Sequence, residues 1–480
     1  MQVSVVLFTA DLRVHDHPPL RAALAAAGQV VPLFVRDRAI AAAGFAAPNR
    51  EAFLRDCLTD LDAELRARGG RLVVRSGDVV AQTCRVAAQA GAGEVHLAAG
   101  VSDYAQRREE RLRAALERDG RRLRVHDAVL TAVPPGAVTP SGGRDHFAVF
   151  TPYFRAWSRQ SLRDPLPAPR AVRVPDGLGS DPIPARDRVR GLSPGLAAGG
   201  ERAGRRRLTN WRRSGLAAYA SGHDDLPGDA TSRLSPHLHF GTVSPIELIA
   251  RARSAGGAGA EDFVRQLCWR DFHHQVLAAR PRCSRDDYRP REDHWRDADT
   301  AGEEIAAWRA GRTGYPVVDA AMRQLAYEGW MHNRGRLLAA SFLTKTLYVD
   351  WRIGARHFLD LLVDGDVANN QLNWQWVAGT GTDTRPGRVL NPVRQGRRFD
   401  PDGRYVRRWL PELADLSGPA VHEPWKLPAA ERARYDYPEP IVDLAAASAS
   451  SGGVVGVGAG GDGVVGGRGR RIWLTRLWGG

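Results

Sequence analysis

The sequence predicts two unlike halves: an N-terminal doubly wound parallel α/β domain and a larger C-terminal all-α domain. Three observations predict this. Short β-branched runs alternate with amphipathic stretches up to about residue 130. Beyond about residue 205 apolar residues recur only at helical spacing, and the segment between is rich in Pro, Gly and Arg with no lasting period. The organisation expected is an α/β domain over 1–130, an inter-domain connector over 131–205, a helical domain over 206–440 and a tail over 441–480.

In the first half, strand-like runs at 3–8, 30–35, 72–74, 95–98 and 123–125 are separated by helical stretches at 18–27, 50–68, 79–90 and 104–118. Phe53, Leu54, Cys57, Leu58, Leu61 and Leu65 share one side of the second of these helices. No G-x-G-x-x-G follows the first strand, so the usual dinucleotide fingerprint is missing. Within the connector, residues 146–157 are aromatic enough to pack against something. The second half has helical periods over 245–255, 261–280, 303–310, 317–328, 333–347 and 351–363, and seven of the 13 tryptophans fall between residues 269 and 376. From about residue 445 the chain turns to Ala, Ser, Gly and Val, a composition too poor in burial to offset its ordering entropy, so disorder is expected there.

Composition narrows the function. A formal net charge of +14 favours a polyanionic partner, although Arg-rich codon bias would also raise it. Cys57, Cys84, Cys268 and Cys283 form no C-x-x-C pair, which argues against a zinc site or a disulfide framework and for reduced thiols in a cytoplasm. The N-terminal apolar run is too short for a signal peptide, and no run is long enough to span a bilayer. A cytoplasmic protein acting as a monomer, away from membranes, is expected.

Four stretches carry chemistry. Tyr219 with Thr231-Ser232-Arg233-Leu234-Ser235 offers hydroxyls and a guanidinium for phosphate oxygens, or else a capping turn with Ser235 or Ser244 as the cap. Gln266, Trp269 and Arg270 share a helix face that suits a stacked ring beside an anion, or else a Trp/Phe core stripe with an exposed Arg. Gly314-Tyr315-Pro316 and Trp330-Met331-His332-Asn333-Arg334-Gly335-Arg336 put aromatic, amide and guanidinium groups at a loop-to-helix junction. Asp364-Gly365-Asp366 and Asn369-Asn370…Trp374-Gln375-Trp376 read either as a divalent-cation loop or as amides and a carboxylate for the edge of a heterocycle.

In order and spacing, these four stretches together resemble the FAD domain of the DNA photolyase/cryptochrome family, most like its bacterial class I members that split cyclobutane pyrimidine dimers. The likeness runs over residues 3–440 and is tightest from Tyr219 to Leu410. It implies a U-folded FAD inside a helical bundle, active when reduced, and no metal. Tyr219 and Thr231–Ser235 would hold the phosphates. Arg270 would help with flavin contacts, Arg336 would pair with Asp364 beside the isoalloxazine, and Asp366 would sit on the flavin edge. Asn370 would face the flavin N5, where an amide backs a reduced anionic ring without donating a proton as an acid would. Trp374, Trp351 and Trp295 match an electron relay, the last displaced by about three residues from the usual spacing to Trp308. Trp269 and Trp376 would wedge a flipped-out dimer, Asn333 would bond its bases and also belong to the cofactor's binding set, and Arg334, Arg388 and Gln395 would lie near the DNA backbone.

Two positions depart from the dimer-splitting pattern. Gln266 stands where Glu is usual and Leu337 where Met is usual. Histidines used by the 6-4 photoproduct members at Asn333 and Leu337 are absent, as is the cysteine cluster of the iron–sulfur branch. A signalling cryptochrome that binds FAD without efficient repair is the rival reading, and a general nucleotide-binding protein without light chemistry a third. Around residues 104–108 the Asn-Glu pair of folate-binding members is missing, and Ala10 replaces a basic residue, so a deazaflavin is the antenna chromophore expected, if any is held.

Overall fold

The computed structural model describes residues 2–385 and 387–447. Its N-terminal part is a five-stranded parallel sheet in the order β3-β2-β1-β4-β5. The strands are β1 (Val3–Phe8), β2 (Gln29–Asp37), β3 (Val73–Gly77), β4 (Glu94–Ala98) and β5 (Arg122–His126), and the helices between them are α1 (Pro18–Ala26), α2 (Arg38–Ala42), α3 (Pro48–Arg66), α4 (Val79–Gln89) and α5 (Asp103–Arg118). Val5 of β1 lies level with Val31 of β2 and Val95 of β4. The period of two along β1 explains the layers: Val6 and Phe8 pack with α3's Phe53, Cys57, Leu58, Leu61 and Leu65, while Val5 and Leu7 pack with Val86 of α4 and Leu112 and Leu116 of α5. The five strands predicted are the five observed.

The connector is more ordered than its composition suggests. Helix α6 (Phe150–Ser158) sets Phe150, Tyr153 and Trp157 into the helical domain's core. The buried Asp271 carboxylate accepts from the amides of Ala132 and Val133 at 3.0 Å each and from Trp157 Nε1 at 2.9 Å. The chain then runs back over the α/β domain, where Arg173 O accepts from Val30 N at 2.8 Å and Val172 joins the sheet's core. No internal period marks such a strap, because its order comes from docking.

The remainder is helical: α7 (Glu201–Gly222), α8 (Ser235–His239), α9 (Pro245–Ala255), α10 (Ala258–Ala279), α11 (Gly302–Ala310), α12 (Pro316–Glu328), α13 (Asn333–Ser341), α14 (Trp351–Leu361), α15 (Val367–Ala378), α16 (Pro392–Phe399), α17 (Arg404–Trp409) and α18 (Ala429–Arg432). A π-helical turn, Phe342–Thr346, continues α13. Ser244 caps α9 by accepting from Glu247 N at 3.3 Å, whereas Ser235 opens α8 without capping it. Residues 441–447 are packed on this domain: Ile441 N donates to Thr313 O at 3.0 Å and the Tyr315 hydroxyl to Val442 O at 2.6 Å. The tail expected to be disordered lies, from 448 on, outside the described residues.

Residues 9–17, which leave the C-terminal end of β1, clamp the two domains. The fully buried Arg13 guanidinium donates to the carbonyls of His15, Asp16, Val129 and Gly241 at 2.9–3.2 Å. Glu201 of α7 accepts from Val14 N at 2.7 Å and His15 N at 3.1 Å. Asp16 is bonded by Arg163, Ser244 and Leu166 N, and His17 pairs with Asp11 at 2.8 Å.

Candidate active site

A cavity opens where α8, α10, α13 and the start of α15 converge. Its lining includes Ser235, Arg270, Arg336, Asp364, Asp366 and Asn370, so six positions singled out in the sequence meet at one place. The lining also includes Asn369, named in the fourth stretch without a role of its own, and Leu238, His239 and Leu362, which sequence reasoning missed. His239 could have been found, since it lies four residues beyond Ser235 in a stretch already marked as chemical.

Arg336 Nη2 and Asp364 Oδ2 form a buried ion pair at 2.7 Å, and Arg336 Nε also donates to Met331 O at 2.8 Å. The second carboxylate oxygen of Asp364 is buried with no hydrogen-bond partner. Asp366 caps α15 by accepting from Asn369 N at 2.7 Å. Burial pushes its carboxyl up, but His274 at 3.4 Å and the charge of Arg270 outweigh this and hold it well below the usual carboxylate range. Arg270 itself is buried and bonds to the carbonyls of Leu130 and Leu238. Burial pushes the His239 imidazole down to about 4, so it is neutral at neutral pH. The Asn370 amide donates to Ala355 O at 3.0 Å and Gln371 Oε1 at 2.9 Å, which leaves its buried carbonyl oxygen as an unused acceptor.

The turn before α8 is tightly built. Ser232 Oγ accepts from Leu234 N at 3.2 Å, Trp330 Nε1 donates to Ser235 Oγ at 3.1 Å, and the Thr231 hydroxyl is buried with no partner. Arg233 differs from the expectation of a phosphate-binding guanidinium. Its backbone is left-handed, at φ 52°, and its side chain is held by Asp229 at 2.7 Å and Glu328 at 3.1 Å over the Trp330 ring. Charges committed to two carboxylates are not free for phosphate. Leu234 is in the core, and Tyr219 packs its ring edge-on against Trp211 and Phe263.

On the substrate side, Gln266 and Trp269 occupy α10 three residues apart. Gln266 is buried, with Nε2 lacking a partner. The half-buried Trp269 stacks face to face on Phe150, at 3.6 Å between centroids and 3° between planes. Trp376 and Asn333 are also half-buried. Leu337 is buried in the apolar core, a packing position. Arg334 corrects the expectation of a DNA-backbone contact: its guanidinium is 2% exposed, paired with Asp224 at 2.9 Å and stacked over Phe399. Arg388 and Gln395 are half-buried in the loop before α16 and on α16.

Trp374 and Trp351 are fully buried, and Trp295 is half-buried against Tyr348 at 4.9 Å. Trp351 Nε1 donates to Asp287 at 2.8 Å, and the Arg352 guanidinium lies 4.7 Å above its ring. Trp308 meets the Trp374 ring edge-on at 6.1 Å, a neighbour the sequence used only as a spacing mark. Among the described residues no group of three or more His, Cys, Asp or Glu is placed to hold a metal ion, and no helix is long and apolar enough to cross a membrane.

The family profile described as DNA photolyase matches residues 4–170, and that described as the FAD binding domain of DNA photolyase matches residues 263–452. A deoxyribodipyrimidine photo-lyase of Streptomyces griseus is 68% identical over 450 residues, covering 94% of this chain and 98% of the relative. The crystal structure of a class III photolyase from Agrobacterium tumefaciens has a TM-score of 0.87 at 31% identity, over 94% of this chain and 97% of that one. A Synechocystis cryptochrome has a TM-score of 0.85 at 29% identity, over 95% and 99%. By these family matches and by the extent and identity of its relatives, this chain belongs to the DNA photolyase/cryptochrome family.

Proposed function

We propose that this chain reverses cyclobutane pyrimidine dimers in DNA under blue light, with FAD held in the cavity between α8 and α15. One observation carries the reading. The cavity wall combines a buried Arg336–Asp364 ion pair with two unused buried acceptors, Asp364 Oδ1 and Asn370 Oδ1. Buried acceptors without donors cost free energy unless a ligand supplies N–H or O–H groups, and a reduced isoalloxazine edge carries N–H donors.

The residues present therefore fit the flavin. Asn370 would accept from N5–H, Asp364 and Asp366 would hold the ring edge, and the Thr231 hydroxyl with the turn's backbone would meet the phosphates. When bound, the reduced flavin supplies a light-driven electron to the dimer; two C–C bonds of the cyclobutane break and the electron returns, so there is no net redox change. Trp269 and Trp376 would stack the extruded lesion, Gln266 and Asn333 would bond its carbonyl and imide groups, and Arg388 and Gln395 would face the DNA backbone. Trp374, Trp351 and Trp295 would carry electrons inward when the cofactor is oxidised. We assign the chain to the cytoplasm as a monomer, and a deazaflavin to the antenna position of the α/β domain; sedimentation and mass spectrometry of the released chromophores check both.

The test is anaerobic photoreduction of the FAD-loaded protein, then illumination with oligonucleotides carrying one cyclobutane dimer or one 6-4 photoproduct. Restoration of the cyclobutane substrate alone is expected. A colourless protein, or a yellow one that repairs neither lesion, overturns the proposal. Gln266 favours the second of those outcomes, a photoreceptor without efficient repair, because a carboxamide cannot stabilise developing charge as a carboxyl can.

A further inference from the structure

The charges around the cavity do not come only from the helical domain. Within the lining, Arg270 and Arg336 face Asp364 and Asp366, so two guanidiniums match two carboxylates while His239 is neutral; His274, behind Asp366 at 3.4 Å, adds positive charge only when protonated. Immediately behind the wall sits a third guanidinium, delivered by the α/β domain. Arg50 of α3 is 6% exposed and donates to Leu362 O at 2.9 Å, to Leu359 O and to Phe45 O. Leu362 is itself part of the cavity lining. A Cβ built on Gly365, between the two cavity aspartates, would meet Arg50 Nη1 at 2.7 Å, so the guanidinium lies beside the backbone of that loop. All its hydrogen bonds go to carbonyls; among the described residues no carboxylate touches it, and Asp360, Asp364 and Arg356 act on it only through space.

A desolvated cation without a contact anion is costly to keep and rarely retained for packing alone. Capping the end of α14 would need no more than a polar hydrogen, and partial burial of a lysine or a water would serve. The cavity, in contrast, is balanced before the cofactor's isoalloxazine gains a charge. Reduction to the anionic form adds two electrons and one proton, hence one negative charge, next to a wall with no spare positive charge of its own.

We infer that Arg50 is a positioning residue of the α/β domain that supplies the countercharge for the reduced flavin, acting through Leu362 and the Asp364–Asp366 loop. This rests on the FAD site proposed above. It gives the α/β domain a part in cofactor energetics, independent of any antenna.

The measurement is the midpoint potential of bound FAD, by dye-coupled reductive titration of the intact protein, for the parent, Arg50→Gln and Arg50→Lys. One charge at roughly 10 Å, through an effective dielectric near 20, is worth about tenfold in an equilibrium constant. Arg50→Gln is therefore expected to favour the reduced form about tenfold less, a potential about 30 mV lower for a two-electron couple. Arg50→Lys should match the parent near neutral pH, then fall toward the Gln variant as the buried lysine loses its proton at higher pH, an inflection the parent lacks. If Arg50→Gln retains FAD at an unchanged potential and only melts earlier, Arg50 is merely a helix cap and the inference fails. Should Arg50→Gln not fold or not hold FAD, the lysine variant decides: no added inflection overturns the inference equally. A parent chain that binds no FAD would instead sink the underlying site reading.

Discussion

Two buried ionic clusters in this molecule differ in one respect: whether their hydrogen bonds are complete. At the seam between the domains, Arg13 bonds to four carbonyls, Glu201 receives two amides and His15, and Asp16 receives Arg163, Ser244 and an amide. In the cavity, Arg336 and Asp364 are paired just as closely, yet Asp364 Oδ1 and Asn370 Oδ1 have no donor. At the seam the completed bonds hold the two domains together, whereas the cavity's open acceptors face a space that a ligand can fill. Burial and ion-pair distance alone do not separate the two.

The comparison is broken most easily at Arg13. Replacing it with Met strands four carbonyls and takes a nearby positive charge from the Asp16 carboxylate, an expected loss of about 3–5 kcal/mol in unfolding free energy. Urea titration measures it, and the protein that remains folded should keep its FAD. A loss below about 1 kcal/mol would mean the seam is not structural in the sense argued.

Asp364→Asn is the counterpart in the cavity. The amide keeps the shape but loses the charge that pairs with Arg336 and half the accepting capacity. A hydrogen bond to a charged group is worth about 1.5–3 kcal/mol, so FAD affinity should fall roughly tenfold to a hundredfold. Fluorescence of released FAD reads this directly. Stability of the FAD-free protein should change less than in Arg13→Met; the reverse order would invert the assignment of the two clusters.

Acid should also part them. In the seam, burial pushes the Asp11 and Asp16 carboxyls up, but His17 for the first and Arg163 for the second outweigh it, and both end below their ordinary value. Their stabilisation is full above about pH 4 and is lost as pH falls further, through their folded values. In the cavity lining, burial pushes His239 down to about 4. The unfolded chain binds that proton near pH 6.5, so its contribution is full above that value and drains away between about 6.5 and 4. For one such group the slope approaches 1.4 kcal/mol per pH unit. Release of FAD on acidification should therefore begin before the seam yields, and His239→Gln should flatten the first phase.

Much of this was legible in the chain, and the limits have physical causes. The sheet was, because β-branched runs and a period of two are local signals that the buried strands obey. Six cavity residues were, because the motifs that carry them are contiguous: Asp364, Asp366 and Asn370 lie within seven residues. What escaped depends on partners distant in sequence. Arg334 and Arg336 are two residues apart on α13; the family resemblance carried the Arg336–Asp364 pair, but nothing local says that Arg334 turns away to meet Asp224. Arg233 was read as a free cation because Glu328, 95 residues on, was not in view. The strap showed no period, and its aromatic segment at 146–157 announced packing without naming a partner, because its order is borrowed from α10.

That strap sets the smallest and most specific prediction. Phe150 closes one face of Trp269, and Arg265 lies 5.0 Å above the Phe150 ring, so the indole is fixed in a layered stack while staying half-buried. Phe150→Leu keeps apolar volume and removes the ring. An aromatic pair is worth about 0.5–1.5 kcal/mol beyond the area it buries. The released indole would then have to be ordered when a base stacks on it, and affinity for a dimer-bearing oligonucleotide should fall about two- to tenfold. Affinity for undamaged duplex and the spectrum of bound FAD should both stay as they were, because neither the basic surface nor the cavity is touched. An equal loss on damaged and undamaged DNA would show that Trp269 anchors the fold rather than the lesion, and would move α10's aromatic face from the unsaturated class to the saturated one.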